Sequence, residues 1–436
     1  MSVTGDPRSD PHLAALLECD KALVSIGRRI RVLKAIDWPS ELEDRFLDGW
    51  RRGQPELPSP PTRPKHMPKA AAALDALMQR IDRGHPIGNW LFKSAWSYLV
   101  ATRMLAGIGT ADFTRQSSLL YGRPDVCYRS QDVSNADSAE QILAITDEMI
   151  DHRRLAPVVA DIPAEEFARR LRERIGNMFR ADDVQVVLDP DMSSKATAGS
   201  KRISLRASAL FTERDLDQLL EHEAYIHTLT ALNGRHQPWF KTLGIGTPRT
   251  TRTQEGLATF SEIITGAIDI SRLRRIALRV VMVKKALEGA DFIDVFRGFL
   301  DAGQTEVESY RSAARVFRGG DVRGGVCFTK DGAYLEGVML VHVFFRKALQ
   351  EGRVDLLPML FCGRLTVADV VTLAPFRDSG LIASAHYLPP WARDPQRVLA
   401  TMAFSVAAQR LQLDHLDLQR FVDYEDELIA AAEQNP

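Results

Sequence analysis

Cysteine, long apolar runs and an excess of either charge are all scarce in this 436-residue chain. The four cysteines, Cys19, Cys127, Cys327 and Cys362, are scattered without a CxxC pair. That excludes a disulfide framework and a cysteine-rich zinc site, and leaves each as a small buried apolar residue. None lies in a local motif that would activate a thiolate nucleophile. No apolar stretch approaches the roughly 18 residues that span a bilayer. The opening MSVTGDPRSDPH lacks the apolar core of a signal peptide, so the expected location is cytoplasmic, with no membrane partner. Lys plus Arg (56) nearly balances Asp plus Glu (57), which gives no reason to expect nucleic acid as a partner.

The length favours two or three packed subdomains. Apolar residues recur at helical spacing over 12–34 and 41–51. Six prolines between Gln54 and Pro68 then predict an extended strap or linker. Helical pattern resumes over 69–82, 90–106, 137–153 and 163–179, and dominates from 254 onward. Only 183–207 reads differently. DVQVVLD and KRISLRA alternate and are rich in β-branched residues, which predicts an antiparallel pair or hairpin. The expected class is α+β, predominantly α-helical, with a small antiparallel sheet beside the central helix. The expected division is an N-terminal segment and linker over 1–68, then a catalytic domain over 69–436. Within that domain a core spans 183–270 and a helical part 271–436.

Thr212-Glu213-Arg214-Asp215 forms a capping-box variant. The helix it starts should run to Leu232 and stop at Asn233-Gly234. It carries His222-Glu223-Ala224-Tyr225-Ile226-His227, an HExxxH pattern one residue longer than the HExxH of ordinary zinc peptidases. Residues four apart lie about 40° apart around a regular helix, whereas residues five apart lie about 140° apart. One metal with bonds of about 2.0–2.1 Å to each imidazole therefore demands a π-type bulge between the histidines. Taken alone, the motif leaves two readings open: a metal site, or a surface helix with two unrelated histidines. Glu255, 28 residues beyond His227 in Thr253-Gln254-Glu255-Gly256, could complete two histidines and a carboxylate, leaving one position for water. It could equally be a carboxylate favoured at a helix start. Glu223 would then be the general base beside the water that a zinc ion activates. Glu262, two turns on from Glu255, could orient a ligand. KRISL could offer a sheet edge to an extended peptide, or simply pack.

HEAYIHTLTALNG followed by TQEGLATFSE resembles the bacterial QEGLA-motif proteins, described as modulating flavohemoglobin expression. Their eukaryotic relatives are the microtubule-associated tyrosine carboxypeptidases. GNWLFKSAWSYLVATRML, SSLLYGRP and GGVCFTKDGAYLEG are similar as well, so the likeness covers roughly 70–390. The resemblance implies a zincin-like core with one Zn2+ held by His222, His227 and Glu255, and Glu223 as catalytic acid and base. HExxGH dipeptidyl peptidases share the lengthened motif. The expected activity is a zinc metallopeptidase of carboxypeptidase type acting on a peptide or protein C-terminus. The competing readings are a zinc amidohydrolase of a small-molecule amide, and a regulatory scaffold with a vestigial site. No basic extension is visible that would imply a tubulin tail, and oligomeric state is not legible.

A terminal carboxylate calls for Arg or Lys. Candidates are Arg252 and Arg249 before QEGLA, and Arg323 and Lys330 around FTKD. Tyr334, together with Tyr225 and His236, could donate to an oxyanion. The bland alternative for each is a solvated loop cation or a core aromatic. His85, His152, His342, His386 and His415 have no partner motif.

Overall fold

The computed structural model describes residues 6–128, 131–151, 159–190, 192 and 194–408. His152, His415 and the end of the helix expected over 137–153 lie outside these. The chain divides into two compact units, Met1–Arg393 and Asp394–Pro436. In the second, the described element is the helix Pro395–Ala408.

The first unit is mostly helical, and its helix starts follow simple chemistry. Asp10 accepts from the amides of His12 and Leu13, ahead of a helix whose first residue is Pro11. Pro68 and Pro86 occupy the same position in two later helices. The Pro-rich strap between Gln54 and Met67 has no regular structure and is tied down where Lys65 N–H donates to the Leu105 carbonyl (2.8 Å). The N-terminal segment contributes to the core: Phe46 packs against Phe292 and Phe296 with ring centroids 5.1 and 4.9 Å apart, and Trp38 and Trp50 flank them. Among the described residues, no helix is long and apolar enough to cross a membrane.

The sheet differs from expectation. Gln185–Asp189 and Arg202–Arg206 pair in parallel, and Ala196–Ala198 pairs antiparallel on the other side of Arg202–Arg206. Parallel neighbours need a crossover of about a dozen residues. The connection 190–201 supplies it by crossing to the far edge before turning back at Gly199, whose N–H donates to the Arg202 carbonyl (2.8 Å). The KRISL strand is therefore central, with both edges taken, and cannot accept a peptide strand. A second, two-residue antiparallel pairing joins Ile162–Pro163 to Leu210–Phe211.

The capping box forms in both directions: Asp215 N–H donates to Thr212 Oγ1 (3.1 Å) and Thr212 N–H to Asp215 Oδ2 (2.7 Å). The helix continues past Leu232 to His236. Asn233 does not stop it, because its side chain is engaged elsewhere. Nδ2 donates to the carbonyls of Phe361 and Tyr387, and Oδ1 accepts from Tyr387 N–H. Gly234 serves close approach: a Cβ there would lie 2.0 Å from the Leu243 carbonyl oxygen.

Three cysteines are buried and Cys127 is exposed, and all four are free. Burial pushes the Cys327 thiol up to about 12, which removes it as a nucleophile.

Asp331 organises the packing behind the site. It is buried and accepts a fork from Arg315 (2.6 and 2.7 Å), with Arg279 at 3.7 Å. Burial alone would raise its carboxyl, but Arg315 and Arg279 outweigh that and hold it below its ordinary value of 3.8. A depressed folded-state pKa means that this stabilisation is complete above pH 4 and declines as pH falls below it. We expect Asp331→Asn to cost about 3–5 kcal/mol in urea unfolding at neutral pH, because it strands buried guanidinium groups. The gap between variant and parent should narrow when the titration is repeated near pH 3.

Candidate metal centre

The helix carrying the HExxxH motif changes winding along its length. Glu213–Leu219 is α-helical, Leu220–Thr228 is a π-helix, and Leu229–His236 is α-helical again. The wider turns carry His222 and His227 to one side, with ring centroids 4.9 Å apart and planes at 85°. The motif helix is steadied from the sheet side by Thr228 Oγ1 donating to the Gly199 carbonyl (3.1 Å).

Glu255 arrives from the helix Thr251–Thr265. It is the fifth residue of that helix rather than one of its first, so the attraction of a carboxylate to a free helix start does not explain it. Its Oε2 lies 3.5 Å from His222 Nε2 and 3.4 Å from His227 Nε2. One ligand atom from each of the three lies within 4.8 Å of the other two. Donors of a tetrahedral zinc ion with bonds of about 2.0–2.1 Å sit roughly 3.3–3.4 Å apart, and the two distances from Glu255 Oε2 to the histidines match that spacing.

Outer residues hold two of the three candidate ligands, His222 and Glu255. Glu262 Oε1 is 2.6 Å from His222 Nδ1, which leaves Nε2 facing Glu255. Arg272 forks onto Glu262 with both contacts at 3.1 Å. Lys330, itself buried, donates to Glu255 Oε1 (2.9 Å) and leaves Oε2 toward the histidines. Burial opposes charge on His222, but its hydrogen bonds to Glu255 and Glu262 prevail and raise it to about 10. Burial would raise Glu255, yet Lys330 and the two histidines hold it well below the usual carboxylate range. Glu262 falls to about 2, with Arg272 and His222 outweighing its burial. A cation entering here must displace the His222 proton, so metal uptake should release acid. Removing one outer partner should weaken uptake: we expect Glu262→Gln to lower metal affinity by roughly 10–100-fold in a competitive chelator titration.

Glu223 is 9% exposed and has no hydrogen bond or ion pair among the described residues. Tyr334 lies on the other side of His222, its ring nearly parallel at 18° and 6.4 Å away. Lys330 Nζ is 5.2 Å from the centre of that ring.

The proposed substrate cations are placed differently from expectation. Lys330 is occupied by Glu255. Arg252 is paired with Glu336, and Arg249 forks onto Asp369 with both bonds at 2.8 Å. Arg323 is 78% exposed and bound to Asp321, two residues away, and nothing brings it into the cluster. Their charges are satisfied by carboxylates that are remote in sequence or too local to suggest a partner. Of the other proposed donors, Tyr225 is buried against Phe179 and His236 binds Asp182 (2.9 Å).

Two further cations, not signalled by any motif, also lie near the cluster. Arg364 donates to the His227 carbonyl (3.4 Å), and its Nε has no partner among the described residues. Burial lowers its pKa, while Tyr98, Glu255 and Glu223 oppose that. Arg279 stands 5.9 Å from the Tyr334 ring centre, and its Nε makes no hydrogen bond among the described residues, although it lies 3.7 Å from Asp331, which Arg315 also holds. Burial pulls it down to about 9. Neither has a carboxylate to itself.

The whole is a helical protein with a small sheet, in which two histidines and a glutamate from adjacent helices converge on one point. The microtubule-associated tyrosine carboxypeptidase family model matches residues 44–410, and the chain belongs to that family. Comparison with curated proteins finds no match. The family is one of carboxypeptidase-like hydrolases.

Proposed function

We propose that this protein is a zinc-dependent carboxypeptidase that removes a residue from a peptide or protein C-terminus. The observation that carries this reading is the placement of an unpaired Glu223 beside three donors that all lie within 4.8 Å of one another. His222, His227 and Glu255 would hold the ion, with Glu262 and Lys330 fixing His222 and Glu255. A zinc ion supplies Lewis acidity there, polarising the scissile carbonyl and making water a better nucleophile at neutral pH.

Glu223 takes the proton from the attacking water and returns it to the leaving amine, a role open to it because no hydrogen bond or ion pair among the described residues ties its carboxylate. Tyr334, beside His222, donates to the oxygen that gains charge as the carbonyl becomes tetrahedral. Arg279 and Arg364 offer the charge that a free terminal carboxylate needs, since both are half-buried, Arg279 only shares Asp331 with Arg315, and Arg364 has no ion pair among the described residues. The family name supports a terminal tyrosine as the first residue to test.

Incubating the purified protein with paired peptides that differ only in a free or amidated C-terminus tests this directly by mass spectrometry. The reading expects loss of one residue from the free acid and none from the amide. Equal cleavage of both would show an endopeptidase or amidase. No cleavage of any peptide in a metal-loaded sample would favour a scaffold.

A further inference from the structure

We propose that a concave cationic surface built from the end of the first long helix, the Pro-rich strap and Lys241 binds a small polyphosphate anion. Two adjoining hollows define it. The first, of about 180 Å3, is lined by Arg29, Arg31, Lys34 and Lys65 over a floor of Met67 and Leu105. The second, of about 540 Å3, is lined by Lys21, Arg28, Arg29 and Lys241. Arg29 lines both, so the two hollows are neighbours.

The charge in this basin is only partly compensated, by Glu18 at Lys21 and by Asp20 beside Lys241. Among the described residues, Arg28, Arg29, Arg31, Lys34 and Lys65 have no ion pair. Lys21 is paired with Glu18, and Lys241 donates to the carbonyls of Arg235 and Gln237. The chain as a whole carries a net charge of only −1, so this concentration does not follow from a basic composition. Arg28, Arg29, Arg31 and Lys34 are close neighbours in the sequence, and folding adds Lys65 and Lys241 to them. The bond from Lys65 N–H to the Leu105 carbonyl brings the strap, 30 residues after Ala35, against the helix end. Like charges held together repel, and a bound anion relieves that repulsion.

The lining selects among anions. No Asp or Glu side chain lines either hollow, so a divalent cation is not recognised. No aromatic side chain lines them either, so there is no platform on which bases of a single-stranded nucleic acid would stack. The smaller hollow lies below the usual range of about 300–1,000 Å3 for organic ligands, while the larger lies within it. Several guanidinium and ammonium groups converging on small hollows match linked phosphate groups, whose charge is dense and whose oxygens accept Arg forks.

Calorimetric titration of the full-length protein with sodium tripolyphosphate at low salt tests the proposal. Saturable binding is expected, weakened at least tenfold in each of the exposed variants Arg29→Glu and Lys34→Glu, with the ligand-free melting temperature of both unchanged. Removal of a metal ion by the phosphate would be the same in parent and variants, so it cannot mimic this pattern. ATP in a parallel arm separates the sources. Affinity equal to that of tripolyphosphate assigns the site to the phosphates of a nucleotide, and affinity at least tenfold lower assigns it to an inorganic chain. The proposal is overturned by absence of saturable binding, by unchanged binding in Arg29→Glu, or by a glutamate-rich peptide or single-stranded RNA binding more tightly than tripolyphosphate.

Discussion

Glu223→Gln should retain its metal and lose turnover by roughly 10²–10⁴-fold, the usual contribution of a positioned general base. The amide has nearly the same shape as the carboxylate, so the π-helix and both histidines should stay in place while the proton acceptor disappears. Glu223 is well suited to show this cleanly. It makes no ion pair and no hydrogen bond among the described residues, so its replacement breaks no network that holds the helix. Steady-state rates on a free-acid peptide, taken with metal content from the same preparation, provide the check. Activity within about threefold of the parent, with metal bound, would remove Glu223 from the chemistry, since a positioned base is worth far more.

Gly256→Ala should destabilise the protein, although the same change in an exposed helix interior stabilises by roughly 0.5–1 kcal/mol. The reason is the contact between the helices Thr251–Thr265 and Ala333–Gln350. A Cβ on Gly256 would lie 2.1 Å from the Gly337 carbonyl carbon and 2.2 Å from its oxygen. The atoms to be moved are backbone, so the helices themselves must separate, at a cost of about 1–3 kcal/mol or more. Glu255 sits next to Gly256 on the same helix, and the separation would also draw its carboxylate away from the histidines. Urea midpoints and metal affinity should therefore fall together. Gly337→Ala should behave alike, because its Cβ would meet the Arg252 carbonyl oxygen at 2.1 Å. A Gly256→Ala protein as stable as the parent would mean that the two helices can part freely at this point.

Much of the site is local in sequence, and that part was legible. The five-residue interval from His222 to His227 makes sense as a pair of ligands only with widened turns, and Leu220–Thr228 has them. Thr212 and Asp215 announce the helix start through capping chemistry that depends only on neighbouring residues. What escaped depends on distant partners. Asn233 and Gly234 look like a helix stop, but tertiary contacts with residues 243, 361 and 387 recruit them into the helix. Two β-patterned runs joined by a dozen residues fit a hairpin or a crossover equally well, and Ala196–Ala198 was too short to register. The pairing of the candidate substrate cations is hidden from the sequence for a related reason. Proximity to a motif suggested Arg252, Arg323 and Lys330, whereas availability depends on which carboxylate claims each one. Arg364 and Arg279 carry no local signal, and only folding reveals that they are half-buried and incompletely paired.

The most direct test is the metal content of the purified chain, measured by mass spectrometry for the parent and for His222→Ala, His227→Ala and Glu255→Ala after identical dialysis. Three convergent donors require about one zinc per parent chain and a large loss in each variant, since a hydrolytic site relies on three protein ligands. Zinc retained at parental levels in all three variants, or hydrolysis by a parent protein free of any metal, would contradict a metal centre at this place.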